Sequence, residues 1–377
     1  MDDAGEFADV GVMKFGGSTF MEVKDYLSLA ATLRTWSAER RRKLVIVVSA
    51  MRGETERLRE TLTSLWPLHT AETSQSLLPM ADSISAHLLH AALRQVGARA
   101  ARLDGWEAGF VAAVPSSAGH LNAVSPIPLE RALDGADIVV LAGGQAVNEA
   151  GQHAWLGKNS SDVSAVAAAV AVGARECDIF SDVDGIYRVD PRLAPDSGLL
   201  PTLSYTTAAA MGRFGAKVLH PAAVELAERH RIRIRCRGNR LPYRSGTLIG
   251  PDAPDRAAVV FNDRSHVLRF ESRAIAADVV RELTEMGIGA MPCGPDDARV
   301  VIVGEYQDVT ALLRRRMLPA GEAAGFPVVE VHGESVHMEV LRSRDEAIRH
   351  AAEVHRGVPG PVAAEDTADH GPSRTTP

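Results

Sequence analysis

Lysine is scarce in this chain. Only Lys14, Lys24, Lys43, Lys158 and Lys217 occur among 41 basic residues, so arginine is the default cation. An Ala-, Arg- and Val-rich composition fits a GC-rich coding sequence, and each retained lysine then calls for a reason. Cysteine is scarce too. Cys177, Cys236 and Cys293 are scattered, odd in number and match no metal-ligand spacing. That argues against a disulfide framework and for a reducing compartment. A basic excess is missing: 41 Lys+Arg stand against 48 Asp+Glu, for a net charge of -7. A general nucleic-acid binder is excluded on that balance, although a local anion site is not. No apolar run approaches the roughly 20 residues that span a bilayer. The acidic start, Met1 to Glu6, lacks a signal-peptide pattern. A cytoplasmic protein with no membrane partner is expected.

What is present is ordinary for a globular protein of two or three domains: 377 residues, 46% hydrophobic and 24% charged. Val10 to Phe15 reads as a strand that runs into Gly16-Gly17-Ser18-Thr19, with a helix from about Met21 to Arg40. Lys43 to Ala50 and Ala136 to Ala142 are apolar, β-branched runs of the kind buried on both faces of a parallel sheet. Met80 to Ala98, Ser161 to Val172, Ala208 to His220 and Ala222 to His230 read as helices, and Asp178 to Ser181 and Ile232 to Arg235 as strands. Such alternation predicts an α/β domain with a mostly parallel sheet, over about residues 8–250. Leu248 to Ala257 has a linker composition, with Gly250, Pro251 and Pro254.

Beyond the linker the order changes. Strands are expected at His266 to Phe270, Ile288 to Met291 and Arg299 to Val303, with one or two over Val328 to Leu341. Helices are expected at Ile275 to Met286 and Asp308 to Ala324. That βαββαβ order predicts a ferredoxin-like unit over 262–345. Residues 358–377 have the composition of a disordered tail.

Three segments carry chemistry. Lys14 stands beside Gly16, Gly17 and Ser18 at a strand end that enters a helix. Glycines let backbone amides approach an anion, and a lysine adds a point charge. Two glycines alone suit an ordinary tight turn equally well. Gly157 to Asp162 repeats the logic before an Ala-rich helix, where a plain capped helix start is the alternative. Ser181 to Tyr187, followed by Asp190-Pro191-Arg192, is an acidic turn at a strand end. Its spacing suits a metal site or a plain turn, and the turn is the simpler reading.

Together these segments resemble aspartate kinases, within the amino-acid kinase family. The resemblance rests on Lys14 to Ser18, Val47 to Met51, Leu156 to Asp162, Ser181 to Arg192 and Gly215 to Pro221, in register over about residues 10–250. It implies an αβα sandwich followed by an ACT-type regulatory part. It also implies transfer of a phosphoryl group from ATP, with Mg²⁺, to the β-carboxylate of aspartate. By position, Lys14, Gly16, Gly17 and Ser18 would line the phosphates. Ser181, Asp182, Tyr187, Arg192 and Lys217 would surround ATP. Ser49, Asp82, Lys158 and Asp162 would face the amino acid, with Lys14 and Asp162 as the catalytic pair and no residue assigned as a metal ligand. His220 beside Pro221 fits the family pattern and reads as structural. The resemblance further implies a homodimer or larger. The chemistry agrees, because a substrate carboxylate of pKa ~3.9 needs no general base. What is needed is alignment of two anions and neutralisation of charge.

Departures gather on the amino-acid side. The family usually has arginine in a Gly-Arg-Gly-Gly-Ser-Asp loop, where this chain has Lys158-Asn159-Ser160. Arginine grips a carboxylate with two hydrogen bonds, and lysine offers a point charge. Ala81-Asp82 replaces the usual Gly-Glu, and Gly143-Gly144 replaces a Gly-Phe. Drift in an arginine-rich chain runs toward arginine, so Lys158 points to altered acceptor recognition, with compensated drift as the plain alternative. The same acyl-phosphate chemistry on another amino acid, or a catalytically weak ATP-binding regulator, are the competing readings. In the second unit Glu271 to Ala274 lacks the glycine and acid that usually hold an effector, so weak or absent feedback by lysine or threonine is expected.

Overall fold

The structure is a computed structural model that describes residues 10–357 apart from 41, 68, 114–118, 242, 244, 306 and 307. The tail expected to be disordered, 358–377, lies outside the described residues. The first part runs β1 (Gly11–Phe15), α1 (Val23–Arg40), β2 (Leu44–Val48), α2 (Glu54–Leu65), α3 (Ala71–Leu77), α4 (Met80–Gln95) and β3 (Ala100–Leu103). Then come β4 (Phe110–Ala112), β5 (Leu121–Val124), α5 (Ile127–Gly135), β6 (Ile138–Ala142), β7 (Gln145–Val147), β8 (His153–Trp155), α6 (Ser161–Ala171) and β9 (Glu176–Ser181). The part closes with β10 (Thr202–Leu203), α7 (Tyr205–Arg213), α8 (Pro221–His230), β11 (Arg233–Gly238) and β12 (Ser245–Ile249).

The main sheet has the order β10-β12-β11-β9-β1-β2-β6-β3 and is parallel except where β12 runs against β11. Strand alternation sends its side chains to two cores. Leu44, Ile46 and Val48 pack with Leu29 and Leu33 of α1 and Leu89 and Leu93 of α4. Val45 and Val47 pack on the other face with Val163, Val166 and Ala167 of α6. This is the αβα sandwich, and it explains why β2 and β6 are apolar throughout. Truncation of the fully buried Ile46 to alanine would cost about 2–5 kcal/mol. Helix α6 is buried nearly all round, and its alanines let it lie close against the sheet. A small second sheet, β5-β4-β7-β8, flanks this layer.

The second part runs β13 (Ala258–Val260), β14 (His266–Arg269), α9 (Arg273–Glu285), β15 (Ala290–Pro292), β16 (Arg299–Ile302), α10 (Val309–Arg315), β17 (Glu322–His332), β18 (Ser335–Leu341) and α11 (Arg344–Gly357). From β14 to β17 it is βαββαβ, with the antiparallel order β17-β14-β16-β15 of a ferredoxin-like unit. Strand β17 is long. Its first half pairs with β14, and its second half pairs with β13 and β18. Helix α11 covers this extension, with Ala347 and Ala351 against Val259, Phe261 and Val328.

Three expectations need correction. The helix expected from Ala208 to His220 ends at Arg213, where Gly215 at φ 94 turns the chain. The helix expected from Asp308 to Ala324 ends at Arg315, because Met317 and Gly321 take positive φ around Pro319 and residues from Glu322 join β17. Leu248 and Ile249, expected to open a linker, complete β12.

Candidate active site

In an open parallel sheet, ligands bind beyond the carboxyl ends of the strands. Here those ends carry the loops singled out in the sequence. Strand β1 delivers Phe15 to one face, where it stacks on Phe180 of β9 at 4.5 Å. Lys14, one residue earlier, points to the opposite face by the pleat. Its Nζ lies 2.8 Å from Asp162 Oδ1, and the two side chains are 12% and 8% exposed. Asp162 sits in the first turn of α6, where a carboxylate suits the helix dipole. Its Oδ2 accepts the backbone N–H of His220 at 3.2 Å. His220 in turn caps α8, with Nδ1 accepting from Ala222 N at 3.2 Å, and burial lowers its pKa. A structural role for His220 accords with that geometry.

The turn Gly17–Thr19 continues from Lys14. Gly17 passes so close to the next strand's loop that a Cβ there would stand 2.7 Å from Ala50 O. Only glycine allows that approach without a shift. Ser49 follows β2, and its N–H donates to Phe15 O at 3.1 Å. The Ser49 hydroxyl donates to Ser161 Oγ at 3.0 Å. Asp82, in the first turn of α4, reaches the same place: its Oδ1 accepts from Ala50 N at 3.1 Å and from Ser161 Oγ at 3.5 Å. Burial pushes the Asp82 carboxyl up to about 7, against the lowering pull of the Ala50 N–H and of Lys14. The structure thus brings Lys14, Ser49, Asp82 and Asp162 to one floor. Gly143 closes its wall, since a Cβ there would meet Ser161 Cβ at 2.5 Å.

The residues expected around the nucleotide form a second group, most of them on the loop after β9. Ser181 Oγ donates to Val183 O at 3.0 Å, and Asp182 is exposed. The Tyr187 hydroxyl donates to Asp184 Oδ1 at 2.8 Å, which raises the pKa of Tyr187. Arg192 Nε donates to Asp190 Oδ1 at 3.0 Å, and this guanidinium helps lower the pKa of Asp190 against the effect of burial. Lys217, exposed between α7 and α8, exerts the same pull on Asp190. Thr247 of β12 pins this loop: its Oγ1 donates to Leu200 O at 2.6 Å and accepts from Ile186 N at 2.8 Å.

Lys158 has different company. Burial lowers its pKa, and the charges acting on it are Glu305, Arg59, Glu56 and Arg264. Two of these, Glu305 and Arg264, belong to the second part of the chain. Sequence reasoning passed over Gln145. It is fully buried, its Nε2 donates to Pro79 O at 2.8 Å and Ser83 Oγ at 2.9 Å, and its Oε1 accepts from Gly105 N at 2.8 Å. These bonds hold the start of α4 and so fix Asp82. The one signal in the sequence is a glutamine directly after Gly143-Gly144.

Among the described residues no group of three or more His, Cys, Asp or Glu side chains could hold a metal by itself. No helix there is long and apolar enough to cross a membrane.

The chain is similar to several known aspartokinases. The chain is 30% identical over 238 residues to the aspartokinase of Geobacillus stearothermophilus, which covers 63% of this chain and 58% of that protein. It is 32% identical over 245 residues to the aspartokinase of Corynebacterium efficiens, covering 65% and 58%. It is 29% identical over 285 residues to that of Thermus thermophilus, covering 74% and 70%. The chain therefore spans less than two thirds of the length of several of the curated relatives that it matches. A similar fold occurs in Escherichia coli aspartokinase III in complex with aspartate and ADP, at a TM-score of 0.61 and 21% identity over 86% of this chain and 88% of that one. The same protein in complex with lysine and aspartate gives 0.62 and 20%, over 93% and 99%. The sequence model of the amino acid kinase family matches residues 9–238, more than half of the chain. On that match, and with the strand-end loops in place, the chain belongs to the amino acid kinase family.

Proposed function

We propose that this protein transfers the γ-phosphoryl group of ATP to the β-carboxylate of L-aspartate, giving the aspartyl β-phosphate and ADP. The observation that carries the reading is the Lys14–Asp162 pair, nearly buried where β1 and α6 meet. Aspartokinase relatives at about 30% identity support the acceptor, and a structure of similar fold binds aspartate and ADP. In this reading a carboxylate oxygen attacks phosphorus while the bond to the β,γ-bridging oxygen breaks, and ADP keeps the electron pair. No proton needs to move. Lys14 neutralises charge on the phosphoryl oxygens, and Asp162 holds Lys14 in place and meets the substrate ammonium. Gly16, Gly17 and Ser18 present backbone amides to the phosphates. Tyr187, Arg192 and Lys217 flank the nucleotide.

Mg²⁺, when bound with the phosphates, spreads their charge, and such an ion takes only one or two protein carboxylates. Asp182, exposed at the end of β9, suits that share. The three free cysteines and the use of ATP fit a cytoplasmic setting, and a homodimer belongs to the same reading. One observation favours a second acceptor. A lysine, Lys158, stands where the family usually has arginine, among charges of both parts of the chain, so the amino-acid side lacks the usual arginine grip. ADP release in the presence of aspartate tests the proposal. Release that depends on aspartate supports it, and release only with another carboxylate moves the chain to the second reading.

A further inference from the structure

Asn239 follows β11, directly beyond the Gly238–Ser181 register pair. Its backbone N–H donates to Ser181 O at 2.7 Å. Its side chain reaches across to the Gly17–Thr19 turn. The orientation that satisfies every partner turns Oδ1 to Ser18 Oγ at 3.0 Å and to Thr19 N and Thr19 Oγ1 at 3.2 Å each, while Nδ2 donates to Ser181 O at 3.1 Å. Asn239 therefore ties the loop after β1 to the end of β9, the two strand ends that bracket the phosphate and nucleotide groups above. The Thr19 N–H also donates to Gly16 O at 2.9 Å, so it only shares the Asn239 oxygen, which has two lone pairs. Both Ser18 and Thr19 are partly exposed, and their hydroxyls can rotate toward a ligand.

We propose that Asn239 is a positioning residue for the nucleotide phosphates: it fixes the Gly17–Thr19 turn against β9 and so sets where the Ser18 and Thr19 hydroxyls can meet a phosphate oxygen. The inference rests on the reading that phosphates occupy this loop. A carboxylate at the same position would accept all three donors, lose the bond to Ser181 O and set a negative charge beside the phosphates. An alanine would release both hydroxyls and loosen the turn.

The test is direct titration of MgATP onto the full chain, in the wild type, Asn239→Asp and Asn239→Ala, with the KM of the acceptor measured alongside. Asn239→Asp should weaken ATP by roughly tenfold or more, the scale of a charged hydrogen-bonding group made unfavourable. Asn239→Ala should weaken it by about threefold, since only neutral bonds are lost. The acceptor KM should stay within about twofold in both, because the hydrogen-bond partners of Asn239 among the described residues are Ser18, Thr19 and Ser181. Equal ATP affinity in wild type and Asn239→Asp would overturn the inference. So would Asn239→Ala being the worse variant, with ATP affinity falling and the acceptor KM rising together, which marks a merely structural anchor. Failure of the wild type itself to bind ATP would instead remove the nucleotide reading, and this inference with it.

Discussion

Lys14 Nζ and Asp162 Oδ1 stand 2.8 Å apart and join the end of the central strand to the start of the most buried helix. The pair does two things at once: it holds a lysine near the glycine turn, and it gives a partner to a carboxylate that would otherwise be buried with only a backbone N–H. Lys14→Met should therefore lower kcat by about 10²–10³, as loss of one charge-stabilising donor does. It should also cost about 3–5 kcal/mol of stability, because Asp162 then lacks its partner. Adding Asp162→Leu should recover stability and no activity. Urea unfolding and steady-state rates check both, and undiminished stability in the single variant would contradict the pairing.

Asp82 gives a pH dependence with a definite sign. Its folded pKa, near 7, lies above its ordinary value of 3.8. Between these values the folded protein holds the proton that the unfolded chain releases. Stability from this group is therefore full below about pH 4, falls as pH rises toward 7 and is flat above. Asp82→Asn should remove that fall, so the difference in melting temperature between variant and wild type should widen from pH 4 to 7. Parallel melting curves across that window would argue against a proton-holding Asp82.

Lys158→Arg restores the residue usual in the family. If the lysine reflects altered acceptor recognition, the change should shift the KM of the acceptor by severalfold and that of ATP by less, because guanidinium offers a bidentate grip that ammonium does not. Steady-state kinetics with each substrate varied in turn separate the two. Equal shifts in both would dissolve the division of the site into an acceptor and a nucleotide side.

The second part of the chain should respond weakly to effectors. In the segment Glu271 to Ala274, Ser272 is occupied as a helix cap, its Oγ accepting from Ile275 N at 3.3 Å. Millimolar lysine or threonine should leave the rate within about twofold, since Ser272 and Arg273 at that turn are already engaged, one as a helix cap and the other in an ion pair. Arg273, for instance, pairs with Asp296 at 2.8 Å. Strong inhibition by either amino acid in a rate titration would contradict this.

The main sheet was legible because its central strands announce themselves. Leu44–Val48 and Ile138–Ala142 are apolar at every position, as strands covered on both faces must be. The strands of the small sheet are three or four residues long, too short for a period to show. The extension of β17 and helix α11 went unforeseen because Val328 to Leu341 reads only as one or two strands, and its partner Ala258–Val260 is a three-residue run directly after the linker-like sequence. Lys14, Ser49, Asp82 and Asp162 could be found because motif order places them at strand and helix ends. Gln145 and Asn239 could not. Each works through hydrogen bonds to backbone and hydroxyls far along the chain, and no local spacing records such partners. The same holds for Glu305 and Arg264, the two charges of the second part of the chain that act on Lys158.

The most direct test is hydroxamate formation. The purified full chain is incubated with ATP, Mg²⁺ and hydroxylamine, and aspartate is compared with other amino acids and small carboxylates as the acceptor. Aspartyl hydroxamate, formed only with ATP and abolished in Lys14→Met, is the result this account predicts. ATP binding without hydroxamate from any carboxylate would contradict it and leave a nucleotide-binding regulator in its place.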